Sequence, residues 1–281
     1  DLLDDGGVSF GKSNGTPIFV NFFKRDSERV NSNMAVIGKS GSGKSFATKT
    51  ILSNLAADNS KIFILDPENE YGALARNLDG KVIDVGKATE GNLNPFHIIT
   101  SAADEDDDGE GSNSFNAHLQ FLEEFFRQIL PNVDNDAMEY LNNLFVRLYA
   151  EKGIDADTDL SKLKAENYPI FDDLYDKILI DFQMSNSEYM KKNLRILLNY
   201  VSKFATGGRN SHLWNHAASI DTKENFIVFN FQSLLSNKNN VIANAQMLLV
   251  LKWLDNEIIK NRDYNLKHRA NRNIVIVIDE A

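Results

Sequence analysis

The feature that most constrains the fold is a glycine-rich segment, Gly38 to Ser45, which lies between a short apolar run and a helical pattern. Gly38, Gly41 and Gly43 allow the backbone to turn tightly with its N–H groups pointing inward, and the helix that follows offers its positive dipole end. The spacing Gly-x-x-x-x-Gly-Lys-Ser is that of a phosphate-binding loop. We therefore expect a strand–loop–helix unit that holds a nucleotide.

The side chains of this loop indicate how the nucleotide would be held. Lys44 is expected to reach the β and γ phosphates and to act in catalysis, and the Ser45 hydroxyl is placed to ligate Mg²⁺. A glycine-rich turn that merely begins a helix is the alternative, which the flanking strand and helix patterns disfavour. The residues predicted to bind ATP or ADP are Gly38, Ser40, Gly41, Ser42, Gly43, Lys44, Ser45 and Phe46.

Two carboxylates, Asp279 and Glu280, follow the last apolar run, Ile274 to Ile278. Ligands of open α/β sheets bind at the carboxyl ends of the strands. We expect Asp279 to hold Mg²⁺ together with Ser45, and Glu280 to polarise the attacking water or accept its proton. The alternative is a strand that happens to end in acids.

A second acidic segment, Asp66-Pro67-Glu68-Asn69-Glu70-Tyr71, follows another strand pattern. Asp66, Glu68 or Glu70 is a candidate for contact with the water or with the surroundings of the metal, and Glu70 is taken as the catalytic candidate. Capping of a short helix predicted at 70–78 is an equally good interpretation of these acids.

Strand and helix patterns alternate along the chain, which predicts an α/β fold with a mainly parallel sheet. Alternating residues at 7–10 and 17–23, joined by a turn at 11–15, predict an N-terminal edge hairpin. Further strands are expected at 34–37, 61–65, 81–85, 226–229 and 274–278. Helices are expected at 45–57, 70–78, 115–130, 135–151, 170–183, 187–205 and 241–261.

The order of these patterns predicts three parts. Residues 1–100 would form the first part of the core, and residues 223–281 the second part, ending at the strand before Asp279. Residues 101–222 would form an inserted all-helical lobe, preceded by a solvated loop at the acidic run 104–110. A calcium site in that run is disfavoured, because consecutive acids lack the alternating spacing of a calcium loop.

Composition excludes several classes of function. Lys and Arg total 30 against 40 Asp and Glu, a net charge of −10 that argues against a generally basic nucleic-acid or membrane binder. The absence of cysteine excludes disulfides, thiolate zinc sites and catalytic thiols, and fits a reducing compartment such as the cytoplasm. No apolar run approaches the roughly 18 to 20 residues of a membrane span.

Other candidate residues carry weaker signals. His212 and His216 are four residues apart but lack a third metal ligand, so a metal site there is disfavoured. Two basic clusters are interpreted as solvent-exposed faces rather than DNA-binding surfaces, because the chain as a whole carries a net negative charge. They comprise Lys191, Lys192 and Arg195, and Lys267, Arg269 and Arg272.

With these residues considered together, the chain resembles the C-terminal ATPase domain of the conjugation ATPases of type IV secretion systems, the TraE/TraC type that corresponds to the fourth VirB protein. The resemblance covers nearly all 281 residues and extends to the HerA/FtsK relatives. It depends on five segments, Gly38 to Ser45, Asp66 to Tyr71, Asn94-Pro95-Phe96, Phe226 to Asn230 and Ile278-Asp279-Glu280-Ala281.

The resemblance implies a RecA-like P-loop core, self-association into a hexamer or smaller ring, and ATP hydrolysis with Mg²⁺. That hydrolysis would power pilus or channel assembly, or substrate transfer, beside other secretion components at the cytoplasmic face of the cell membrane. It also implies that further core strands, a glutamine sensor and an arginine finger follow Ala281. Two alternatives remain, a HerA/FtsK-type DNA translocase and a non-catalytic ATP-dependent scaffold, and contact with DNA is left open.

Overall fold

A parallel sheet lies at the centre of the structure, a computed structural model that describes residues 7–27, 29–99, 112–236 and 240–279. The strands are β1 (Val8–Ser13), β2 (Thr16–Val20), β3 (Lys61–Asp66), β4 (Lys81–Asp84), β5 (Phe226–Asn230) and β6 (Ile274–Ile278). Strands β3 to β6 form the parallel sheet in the order β4-β5-β3-β6. The predicted α/β class with a mainly parallel sheet is confirmed.

The helices lie close to their predicted positions. They are α1 (Lys44–Ala57), α2 (Gly72–Asn77), α3 (Ser112–Ile129), α4 (Asn135–Glu151), α5 (Phe171–Met184), α6 (Glu188–Val201), α7 (Ser211–Trp214), α8 (Gln232–Ser236) and α9 (Asn240–His268). Helix α9 continues past the predicted end at 261. The prediction stopped too early because the last turns are polar and lack the apolar periodicity that marks a helix in sequence. Within the described ranges, none of the helices combines the length and apolarity needed to cross a membrane.

Helices cover both faces of the sheet, so its central strands are buried along their whole length. On β3, Ile62 and Ile64 belong to the apolar cluster under α1 and α2. Phe63 and Leu65 point to the opposite face and belong to the cluster that contains α9 and the helical lobe, α3 to α6. This alternation gives a three-layer arrangement with β3 at its centre.

The predicted N-terminal hairpin is present, and it forms a small sheet of its own beside the main sheet. Strands β1 and β2 pair only with each other, in a two-stranded antiparallel sheet. The hairpin lies against α1, where the Asn54 side chain donates to the Ser9 carbonyl oxygen at 3.3 Å. Its turn is also tighter than the predicted 11–15, because Asn14 and Gly15 both have positive φ angles and close a two-residue loop.

The strand predicted at 34–37 does not form in the structure. These residues have no assigned secondary structure, and Ile37 is 91% exposed. An apolar run becomes a strand only where a neighbouring backbone supplies hydrogen-bond partners, and sequence alone does not show whether it does. Helix α2 also differs from prediction, since it begins at Gly72 rather than at Glu70.

The motif Asn94-Pro95-Phe96 joins the sheet region to the helical lobe. The Asn94 side chain donates to the Pro169 carbonyl oxygen (2.8 Å) and accepts from the Phe96 N–H (3.0 Å). The Tyr149 hydroxyl donates to the Phe96 carbonyl oxygen. The buried Phe96 ring contacts three rings of the lobe, those of Phe126, Phe145 and Phe171. The core of the lobe is therefore continuous with the core under the sheet.

A buried ion pair links the start of β3 to α9. The Lys61 ammonium lies 3.3 Å from a Glu257 carboxylate oxygen and donates to the Thr222 carbonyl oxygen at 2.9 Å. The Thr222 hydroxyl and the Lys260 ammonium also donate to Glu257. The Lys61 and Glu257 side chains are 10% and 4% exposed, so removal of Glu257 would leave the buried Lys61 ammonium without its counter-charge.

We predict that Glu257→Ala lowers the free energy of unfolding by about 3–5 kcal/mol, because the Lys61 ammonium remains buried without a counter-charge. Denaturant unfolding at pH 7 measures the loss. Glu123→Ala is the control, since it removes an exposed pair with Arg127 and should cost less than about 1 kcal/mol. Equal losses in the two variants would contradict the prediction.

Candidate functional site

The segment from Gly38 to Ser45 forms a tight turn that leads into α1. Gly41 and Gly43 have φ angles of 76° and 91°, in the left-handed region that favours glycine. A different constraint acts at Gly38, since a Cβ atom at this position would lie 2.6 Å from the Ser42 hydroxyl oxygen, which would have to move. Backbone conformation thus accounts for Gly41 and Gly43, and the close contact with Ser42 for Gly38.

The N terminus of α1 opens directly from this loop. Gly43 occupies the N-cap position and has no side chain with which to cap the first N–H groups of the helix. The Lys44 ammonium donates to the Gly38 carbonyl oxygen at 2.9 Å, which holds it across the loop. Phe46, a predicted nucleotide contact, is 78% exposed on the first turn. The loop therefore offers backbone donors and a cation on one exposed surface.

The carboxyl edge of the sheet brings Asp279 beside the end of β3. Leu65 and Ile278 are register partners, and the Asp279 N–H donates to the Leu65 carbonyl oxygen at 3.2 Å. The Asp279 carboxylate is one of the negative charges that raise the pKa of the nearby Tyr71 phenol. Asp279 thus lies at the sheet edge where ligands of this fold type bind. Glu280, the predicted catalytic base, lies outside the described residues.

Asp66 uses both of its carboxylate oxygens to hold the segment that follows β3. One oxygen accepts from the Glu70 N–H (3.0 Å) and the other from the Tyr71 N–H (2.9 Å). The Asp66 side chain is fully buried, and its carbonyl oxygen accepts from the Phe231 N–H. Of the two interpretations of this acid, the geometry favours the backbone-capping one.

Glu70 and Glu68 have different surroundings. The Glu70 carboxylate lies 3.7 Å from the Lys49 ammonium, and both side chains are about one-third exposed. Glu68 contributes its carbonyl oxygen, which accepts from the Gln232 side chain at 3.2 Å. Lys49 lies four residues after Ser45 on α1 and so shares a face of the helix with it. The Lys49–Glu70 pair therefore ties the helix that begins at the loop to the acidic segment after β3.

Tyr71 is surrounded by charged groups although its ring is only 1% exposed. The Lys49 ammonium lies 5.3 Å from the ring centroid. Burial, together with the carboxylates of Asp279, Glu70 and Asp66, raises the pKa of the Tyr71 phenol. The phenol is therefore protonated and uncharged at neutral pH.

Sequence reasoning assigned no role to Lys49 or Tyr71. Tyr71 belongs to the acidic segment quoted above, but Asp279, whose charge helps to raise its pKa, lies more than two hundred residues further along the chain. Lys49 could have been found from its spacing, because residues four apart on a helix lie on the same face. Its ion-pair partner, Glu70, could not have been found from sequence, since that contact depends on how the chain folds.

The weaker candidates have structural surroundings of their own. His212 lies in α7 and its Nε2 atom is 3.0 Å from the Gly86 carbonyl oxygen. A search of the described ranges for three or more His, Cys, Asp or Glu side chains able to share a metal ion finds none. Arg272 packs over the Tyr264 ring and donates to the Asn261 side chain. The acidic run at 104–110 lies outside the described residues.

A glycine loop that opens a helix beside a parallel sheet, with an aspartate at the carboxyl edge, is the arrangement of P-loop nucleotide-binding domains. Residues 23–249 match the family model described as Helicase HerA, central domain. The chain belongs to this family.

Two further comparisons show how far the similarity extends. The chain superposes on the structure of VirB4 of Thermoanaerobacter pseudethanolicus with a TM-score of 0.82 and 27% identity, over 99% of this chain and 69% of that chain. An uncharacterized protein of Bacillus anthracis is 23% identical over 188 residues, which are 62% of this chain and 29% of that protein. The expected resemblance to VirB4-type ATPases of the HerA/FtsK superfamily, with a RecA-like core, is confirmed.

The role of Asp66 is open to a direct test. Asp66→Asn leaves one acceptor oxygen where the native carboxylate has two, so one of the Glu70 and Tyr71 N–H groups loses its partner. We expect the free energy of unfolding to fall by about 1.5–3 kcal/mol, the range for hydrogen bonds to a charged group. Denaturant unfolding provides the measurement, with Asp221→Asn as an exposed control. An Asp66→Asn protein as stable as the parent would show that capping is not its role.

Proposed function

We propose that this chain is the ATPase domain of a VirB4-type protein of a conjugative type IV secretion system. One observation carries the proposal: the glycine-rich loop opens α1, and Asp279 lies at the carboxyl edge of the sheet, where its N–H donates to the Leu65 carbonyl oxygen. Lys49 of the same helix pairs with Glu70, in the acidic segment after β3. A phosphate loop and a carboxylate at the strand ends are the two parts that nucleotide hydrolysis of this class requires. The family match and the similarity to VirB4 support the same proposal.

The residues of the site fit a nucleotide with Mg²⁺. A helix N terminus with glycine at its N-cap suits an anionic phosphate. Because Gly38 leaves little room for a side chain beside Ser42, the backbone N–H groups of the loop would hold the phosphate. ATP or ADP would be held by residues 38–46, including the Lys44 ammonium. Ser45 and Asp279 supply the hydroxyl and carboxylate oxygens that Mg²⁺ prefers. When bound, Mg²⁺ would neutralise charge on the β and γ phosphates.

Different residues of the chain have different roles in hydrolysis. Lys44 stabilises the negative charge of the terminal phosphates, and Glu280 orients the attacking water and accepts its proton. Glu70, held by Lys49 at the same edge of the sheet, is the second candidate for contact with the water. Asp66 takes no part in this chemistry, because both of its oxygens accept backbone N–H groups.

The biological role follows from the VirB4 resemblance. Hydrolysis would power pilus or channel assembly, or substrate transfer. The protein would associate with itself in a ring and with other secretion components at the cytoplasmic face of the cell membrane. Binding and hydrolysis of ATP by the protein are the parts of this role that purified material can test directly.

A DNA translocase is the second candidate, because the matching family model is described as the central domain of a helicase. The net charge of −10 argues against an extensive DNA-binding surface. Addition of double-stranded DNA to the intact protein separates the two candidates. Strong stimulation of the ATPase rate would favour the translocase, whereas an unchanged rate would favour the secretion ATPase, and ATP binding without any turnover would favour a scaffold.

We predict that Lys44→Ala abolishes binding of Mg-ATP and Mg-ADP, because the ammonium is the cation that the loop directs at the phosphates. Calorimetric titration of nucleotide measures the effect. Lys223→Ala is the matched control, since it removes an ammonium from a side chain that is 87% exposed on the surface. Similar nucleotide affinities in the parent and in Lys44→Ala would exclude this loop as the binding site.

We also predict that Glu280→Gln in the intact protein retains nucleotide binding and loses hydrolysis. The amide preserves the shape of the side chain but cannot accept a proton, and general-base catalysis contributes about 10²- to 10⁴-fold. Steady-state ATPase rates and nucleotide affinities, measured on the same preparation, separate the two effects. Turnover within a few-fold of the parent would move the catalytic role to another carboxylate, with Glu70→Gln the next variant to examine.

A further inference from the structure

We propose that Lys49 is a positioning residue for ATP hydrolysis: its ammonium holds the Glu70 carboxylate on the side of the acidic segment from which that carboxylate can contact the attacking water. The inference rests on the proposed function, because it uses Glu70 as the second candidate for that contact. It adds a residue of α1 that acts on the water only through Glu70.

The Lys49 ammonium lies between a buried ring and an acid. It is 5.3 Å from the centroid of the Tyr71 ring and 3.7 Å from a Glu70 carboxylate oxygen. The Tyr71 ring is 1% exposed and belongs to the apolar cluster under α1 and α2, so it cannot move without disturbing close packing. The lysine side chain, two-thirds buried against that ring, therefore holds its charge in a defined place.

The main chain of Glu70 is fixed separately from its carboxylate. The Glu70 N–H donates to a carboxylate oxygen of Asp66 at 3.0 Å, and Asp66 is the last residue of the buried strand β3. The Glu70 side chain can still rotate about its own bonds, and the ion pair with Lys49 favours the rotamers that bring its carboxylate to the ammonium. The main-chain anchor and the cation together determine where this carboxylate lies.

The position of Lys49 on α1 relates this carboxylate to the phosphate loop. Lys49 follows Ser45, the proposed magnesium ligand, by four residues, and residues with this spacing lie on one face of a helix with about 5–6 Å between their Cβ atoms. The ion pair thus directs Glu70 toward the helix that begins at the loop. Glu68, the other glutamate of the segment, is exposed, and the contact described for it uses its carbonyl oxygen.

The ion pair contributes little to the stability of the fold. Both side chains are about one-third exposed, and ion pairs this accessible typically add little to the free energy of unfolding. Removal of the Lys49 charge should therefore leave the protein folded. A loss of hydrolysis would then report the position of the Glu70 carboxylate rather than unfolding.

Lys49→Met provides the test, because methionine keeps an unbranched apolar side chain over the Tyr71 ring and removes the charge. Steady-state ATPase rates and ADP affinity are measured on the intact protein. We expect kcat to fall about 10- to 100-fold, with KM and ADP affinity within about twofold of the parent. Lys49→Arg, which keeps the positive charge, should restore most of kcat. A parent-like kcat in Lys49→Met, or a kcat equally low in Lys49→Arg, would overturn the proposal.

Lys152→Met is the matched control. The Lys152 ammonium pairs with the Asp173 carboxylate at 3.0 Å in the helical lobe, and the two side chains are 35% and 31% exposed, close to the values for Lys49 and Glu70. This substitution removes an ion pair of similar exposure that does not involve α1, so we expect kcat within about twofold of the parent. An equal loss of kcat in both variants would show a general effect of lost ion pairs and overturn the proposal.

A double-mutant cycle with Glu70→Gln tests whether Lys49 acts through Glu70. If it does, adding Lys49→Met to Glu70→Gln leaves kcat unchanged, whereas independent losses would multiply and overturn the proposal. The inference and the proposed function fail in different ways. A parent protein without ATPase activity removes both, whereas a parent that hydrolyses ATP with the same kcat as Lys49→Met removes the inference alone.

Discussion

The buried strand β3 is the element on which the rest of the site depends. Its backbone pairs with β5 on one side and with β6 on the other, and its side chains supply the cores on both faces of the sheet. Its last two residues, Leu65 and Asp66, hold the backbones of Asp279 and Tyr71. A strand buried along its whole length cannot shift without breaking both ladders, so groups anchored to its end share its rigidity.

The acidic edge of the sheet is arranged so that its carboxylates have separate roles. Asp66 satisfies backbone N–H groups, Glu70 pairs with Lys49, and Asp279 is held through its own N–H by the Leu65 carbonyl oxygen. Hydrogen bonds thus stabilise the buried Asp66 carboxylate, and an ion pair stabilises the Glu70 carboxylate. Asp279 follows the neighbouring strand β6 and lies at the same edge of the sheet.

The helical lobe is joined to the core by packing and not only by the chain. Asn94 and Phe96 bridge the two regions through hydrogen bonds and ring contacts, and one continuous apolar cluster extends from the sheet into the lobe. A displacement of the lobe relative to the sheet would therefore have to rearrange closely packed side chains. The Asn-Pro-Phe motif, which contributed to the family resemblance, has a structural role in this protein.

The sequence by itself determined the fold class, most helices, the loop at 38–45 and the position of Asp279 at a strand end. These features follow from local patterns: apolar periodicity, glycine spacing and the residues at the ends of apolar runs. Tertiary structure alone decided that the hairpin lies against α1, that residues 34–37 stay outside the sheet, and that Asp66 caps the backbone. It alone brought Tyr71 to Asp279. Each of these outcomes depends on which backbone or side-chain partner lies nearby after folding, and residues distant in sequence carry no local signal of that proximity.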